Sequence, residues 1–172
     1  MKNELQAFAA DFTRIYQGTN WYGNSFQEII SDMKAEVAFA TPPGNRNSVA
    51  QIVKHMMDWR IFVLERMQGH EQYTVEQTDT FDISAYAAAD ENAWAALVGA
   101  YEQVQQKLVY TLETAQPGLL LRPVPQQAYN MRHLVQGIQQ HDLYHMGQIG
   151  LLKKQLQQLQ EQGATAAVVE NS

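Results

Sequence analysis

The feature that most constrains this chain is an apolar stripe in its last third: Leu134, Ile138, His141, His145, Ile149, Leu152, Leu156 and Leu159. Steps of three and four place all eight on one face of a helix, the face that a bundle buries. Two histidines stand where the pattern asks for Leu or Ile. Side chains four apart on a helix have Cβ atoms about 5–6 Å apart. His141 and His145 can therefore grip one metal ion from the same side, as other His-x-x-x-His helices do. Two buried imidazoles without a shared partner each cost free energy, and one ion satisfies both. A third ligand must come from His55, His70 or His133. His133 precedes His141 by two turns, ~12 Å along the axis at 1.5 Å per residue, too far to share the ion. His70 follows Gly69, which ends a helix, and reads as a solvated loop residue. His55 remains. Alone it would be a core histidine with one hydrogen bond, the commoner fate of a histidine on an apolar face.

The rest of the chain supplies the bundle. Leu5, Phe8, Phe12 and Ile15 mark a first helix ending at Gly18. Ser25-Phe26-Gln27-Glu28 has capping-box spacing, and Ser48-Val49-Ala50-Gln51 repeats it. The first opens a short helix carrying Phe26, Ile29, Ile30, Met33 and Val37. The second opens a helix to about Gln68, apolar on two adjacent faces, with His55 between Ile52 and Trp59 on the second face. Thr41-Pro42-Pro43-Gly44-Asn45 interrupts the chain between them. The connection over 70–89 has no period. Its length suits a crossover between helices running in the same direction. Asp90 caps a third helix whose stripe is Trp94, Leu97, Tyr101, Val104, Leu108 and Leu112. Asn130 opens the last. These patterns predict an all-α four-helix bundle with a long crossover between its second and third helices. One domain spans 1–160, and 161–172 form a flexible tail.

Composition narrows the function. The chain of 172 residues holds no Cys, so disulfides, iron–sulfur clusters and thiolate zinc sites are excluded. Any thiol chemistry would use a thiol brought by the substrate. The net charge of −6 and the lack of a Lys/Arg stripe argue against nucleic-acid binding. The first ten residues read as no signal peptide, and no apolar run reaches the ~18 residues of a membrane span. A cytoplasmic protein is expected. Neither a His-Glu-x-x-His motif, a Glu-x-x-His pair nor a Gly-x-Ser-x-Gly elbow occurs. Three neutral imidazoles with open positions suit a catalytic ion, which lowers the pKa of bound water to ~7 when it is zinc. Nickel, manganese or iron(II) would also accept imidazole.

The string His141-Asp142-Leu143-Tyr144-His145-Met146-Gly147-Gln148-Ile149 resembles the DinB/YfiT-like family of bacterial four-helix bundles. So do Arg14-Ile15-Tyr16-Gln17-Gly18 with Trp21, and Ser48 to Met56 with Trp59-Arg60. The resemblance covers about residues 3 to 156. It implies a three-histidine metal site of His55, His141 and His145, holding zinc or nickel. It implies a metal-dependent hydrolase, or a transferase using a low-molecular-weight thiol, in a homodimer. The alternative is a non-catalytic bundle, stabilised by its metal, that binds a small molecule or a protein partner.

Around such a site, Asp58 and Asp142 are candidates to orient imidazoles, or else solvated helix carboxylates. Tyr144 and Gln148 are candidate donors, with core packing the expected role of Tyr144, as of Trp59 and Trp94. The Trp21-Tyr22 turn, the Pro42-Pro43 loop and the 119–130 connection are expected to line the metal mouth.

Overall fold

In the computed structural model, which describes residues 2–76 and 79–170, both serine-led helices begin where the sequence places them. Each has a complete capping box: the serine hydroxyl accepts from the third helical N–H, and Glu28 or Gln51 accepts from the serine N–H. The elements are α1 (Lys2–Gln17), α2 (Phe26–Ile30), α3 (Ala35–Phe39), α4 (Val49–Gln68), α5 (Glu91–Thr114) and α6 (Met131–Glu170). Short 3-10 turns cover Asp79–Phe81, Ser84–Tyr86 and Leu119–Leu121. Asp90 caps α5 by accepting from the Ala93 N–H, and Asn130 accepts from the His133 N–H at the start of α6. Gly69 ends α4 in the left-handed conformation at φ 88°, where a Cβ would be strained.

α1, α4, α5 and α6 form a four-helix bundle, and no strand occurs among the described residues. Two apolar clusters fill it. At one end the first half of α4 and of α5, from Val49 and Trp94 onward, meets the end of α1 and the Met146–Leu156 part of α6. At the other end Val63–Met67 of α4 and Leu108 and Leu112 of α5 meet Leu5–Phe12 and Met131–Ile138. Hence α4 and α5 run in the same direction, and α1 and α6 run opposite to both. The long connection is the crossover that this arrangement needs.

Two expectations change, and a third lies largely outside the described residues. The helix expected to run from Phe26 to Val37 is two pieces, because the chain turns at 31–34 before Ala35. The first piece tucks Phe26 against Tyr16 and Tyr101, and the break lets the Met33 carbonyl accept from the Trp94 indole at 3.1 Å. Leu159 is 45% exposed, not core. At 1.5 Å per residue, α6, with 40 residues, outruns α4, with 20, and its end passes beyond its neighbours. The tail expected over 161–172 lies largely outside what is described: α6 continues to Glu170, while the side chains from 163 on and residues 171 and 172 are not described.

Candidate metal centre

His55 stands on the second turn of α4, and His141 and His145 one turn apart on α6. Packing of α4 against α6 points all three rings at one place. His55 Nε2 lies 3.0 Å from His141 Nε2, and His145 Nε2 lies 3.1 Å from the same atom. All three ligand atoms fall within 4.8 Å of one another. Bonds of ~2.0–2.1 Å to one ion separate neighbouring nitrogens by about 2.9–3.4 Å, the spacing at which both neighbours stand from His141 Nε2. His55 and His145 are buried, and His141 is partly open.

Protons decide what this cluster can do. A neutral imidazole carries one N–H. His145 Nδ1 faces the Gln148 Oε1 at 2.6 Å, and the Gln148 amide nitrogen donates to the Tyr144 hydroxyl at 3.0 Å. That amide orientation places the His145 proton on Nδ1 and leaves a lone pair on Nε2. His55 Nδ1 meets the Thr80 hydroxyl at 2.8 Å, which can accept its proton in the same way. A proton on His141 Nε2 could serve one of its two neighbours but not both. A metal ion serves all three. Burial, then the nearby His145, His141 and Lys54, lowers the pKa of His55 to about 4. Burial and His141 also lower that of His145. Both rings are thus held neutral near pH 7, the form that binds metal.

The surroundings of the rings were only half visible in the sequence. Phe81 stacks on His55 with centroids 4.2 Å apart and planes 8° apart. With Thr80 it makes the crossover a wall of the site, and no sequence pattern singled out either residue. The length of the connection was the one available signal. Asp58 does not orient an imidazole; it pairs with Lys54 one turn earlier. Asp142 is fully buried and accepts from Arg60 Nε at 2.9 Å through Oδ2. Its Oδ1 has no partner and lies 3.9 Å from His141 Nδ1, which also has none. Tyr144 is 64% exposed rather than core, its ring edge against His145. Gln148 approaches the site as an acceptor. Trp59 is half-buried, edge-on to His55 and His141, while Trp94 is core as expected.

The expected mouth is also redrawn. The 119–130 connection contributes Tyr129 to a cavity of about 260 Å³ that His141 lines. Arg46 and Asn47, just past the proline loop, share a wide cleft with Phe81. The Trp21-Tyr22 turn lines neither cavity, and Trp21 is 96% exposed. His70 is exposed beside Glu65, and His133 packs on Tyr129. Neither joins the cluster.

A protein-family model described as the DinB superfamily matches residues 20–149, a span that contains all three histidines and leaves out α1. No curated protein and no solved structure gives a significant match.

Proposed function

The chain belongs to the DinB superfamily, and on that premise we propose that it is a metal-dependent enzyme acting on a small molecule. His55, His141 and His145 hold one divalent ion, zinc or nickel before manganese or iron. The reaction is a hydrolysis, or transfer to the sulfur of a low-molecular-weight thiol. One observation carries this reading: three Nε2 atoms converge while two of the rings spend their Nδ1 protons on Thr80 and Gln148. A divalent ion there supplies Lewis acidity, favouring hydroxide from water or thiolate from a thiol at neutral pH.

The chain's own groups do the rest. Thr80 and Gln148 fix ring orientation by accepting from Nδ1. Phe81 and Trp59 exclude water from two sides of His55. His141, the most open of the three rings, stands where a substrate would arrive. A chain without Cys keeps its own thiols from competing for the ion, which favours the transferase variant.

The test is metal analysis of untagged protein, followed by titration of the loaded protein with glutathione and with water-exchange measurements. One ion per chain with exchangeable water supports the enzyme. A saturated, slowly exchanging ion would make the metal structural and the protein a non-catalytic bundle. Absence of bound metal after loading would remove the reading altogether. Dimer formation, which the family resemblance implies, is checked by light scattering of the same samples.

A further inference from the structure

We propose that the cavity beside His141 is the substrate subsite, and that it takes a compact aromatic or branched apolar group whose polar head reaches the ion. The inference rests on the metal reading above.

The cavity holds about 260 Å³. A dry cavity of about 150 Å³ admits benzene, so a substituted ring fits. Trp59, Val63, Leu134 and Ile138 give it apolar walls. Such a lining with few polar groups is the usual character of a small-molecule pocket. Tyr129 and His133 pack on one another in the same lining, with centroids 4.8 Å apart, and His133 is exposed there. Tyr129 is held by a closed turn, in which its carbonyl accepts from the Val124 N–H at 3.0 Å.

Two residues join this space to the histidines. His141 lines the cavity and offers Nε2 to the cluster. Trp59 lines it too, with its ring 6.2 Å from that of His141 and 6.4 Å from that of His55. A ligand in the cavity therefore lies against an imidazole of the proposed metal centre. In the polar cleft lined by Arg46 and Asp82, Phe81 stacks flat on His55 and screens it, and no histidine of the cluster is among the lining residues.

Gly137 provides the handle for a test. It lines the cavity in the second turn of α6, and a Cβ there would meet no atom within 4 Å. A methyl group at 137 therefore fits without displacing the fold, and larger side chains extend from that open position.

The experiment compares two probes on the metal-loaded protein by calorimetry. Acetohydroxamate carries a metal-binding head alone, and benzohydroxamate adds a phenyl ring. Burial of that ring should make benzohydroxamate bind roughly tenfold tighter or more. Gly137→Leu should bring the two affinities together while leaving metal content and acetohydroxamate binding in place. Gly137→Ala, which suits a helix better than Gly, should narrow the gap in part and guards against a folding failure of the Leu variant. Equal affinities in the parent protein, or a gap that persists in Gly137→Leu, overturn the subsite and leave the metal reading standing. Failure of both probes to bind loaded protein overturns the subsite as well. Failure to load metal at all overturns the metal reading with it.

Discussion

Two groups of buried polar side chains lie on neighbouring faces of α4 and α6, and they resolve their burial in opposite ways. Arg60 and Asp142 form one. The guanidinium donates through Nε to Asp142 and through Nη1 to the Gln105 amide oxygen at 2.6 Å, and the Gln105 nitrogen donates to the Phe12 carbonyl at 3.0 Å. The Tyr101 ring lies 4.4 Å below the guanidinium carbon. All four bundle helices are tied together, and charge meets opposite charge. His55, His141 and His145 form the other. There like atoms face like atoms, and a proton on His141 Nε2 can serve only one of the two nitrogens that face it. Burial alone does not separate structure from site. Whether the buried groups complete one another does.

The largest expected effect comes from breaking the charge-paired group, in which Asp142 Oδ1 alone of the carboxylate oxygens goes without a hydrogen bond. Arg60→Ala leaves the Asp142 carboxylate buried without its counter-charge, and should cost about 3–5 kcal/mol of stability. Urea unfolding of metal-free protein measures it. Arg60→Met combined with Asp142→Leu removes both charges and should recover most of the loss. A small effect of Arg60→Ala would mean that water reaches the pair, and the contrast with the histidines would fail.

Acid should act on the other group. The folded-state pKa of His55 is lowered to about 4, below the ~6.5 of an unfolded chain. Between these values the unfolded state binds more protons. Stability of the metal-free protein is therefore flat above pH 6.5 and falls as pH drops toward 4, by about 3 kcal/mol. The lowered His145 adds in the same direction. Unfolding curves of chelated protein from pH 8 to pH 4 give the profile, and His55→Asn should flatten it. A profile unchanged by His55→Asn would show that this ring is not buried neutral.

The contrast also explains what the sequence could disclose. The histidines were legible because they occupy apolar positions of a helical period, so the period exposed them as misfits. The bundle was legible for the same reason, through the stripes and serine caps of α4 and α5. Arg60 and Asp142 gave no such signal. A single charged residue on a helix is normally solvated, and these two lie 82 positions apart. Only α4–α6 packing shows that they face inward. Thr80 and Phe81 were hidden differently, in a stretch with no period to violate. Tyr144 misled because an aromatic residue on a bundle helix reads as core; it lies about 100° round α6 from His145, off the buried stripe, and stays exposed.

Metal should change the balance between the groups by a slightly smaller amount. An ion that binds only the folded state stabilises it by about 2.7 kcal/mol when free ion is 100 times its dissociation constant. The apolar clusters do not depend on that ion, so chelated protein should remain helical with a lower melting temperature. Single Ala replacements of His55, His141 or His145 should abolish the metal-dependent rise in melting. His70→Ala and His133→Ala should keep it. Collapse of the chelated protein to an unfolded chain would make the histidines structural, on a par with Arg60 and Asp142.

The smallest effect tests whether the crossover belongs to the site or only covers it. Thr80 is buried in the crossover, and its hydroxyl meets His55 Nδ1. Partners of a ligating histidine commonly tune metal affinity by about 10–100-fold. Thr80→Val keeps the shape of the side chain and removes the hydroxyl. It should weaken metal binding roughly tenfold and leave the unfolding of chelated protein close to that of the parent. Competition with a chromogenic chelator resolves such a change. The two readouts must separate for the crossover to count as part of the site. If Thr80→Val lowers the stability of chelated protein as much as that of loaded protein, the residue serves packing. If neither changes, the His55 proton is held by something other than Thr80, and the count of bare Nε2 atoms must be made again.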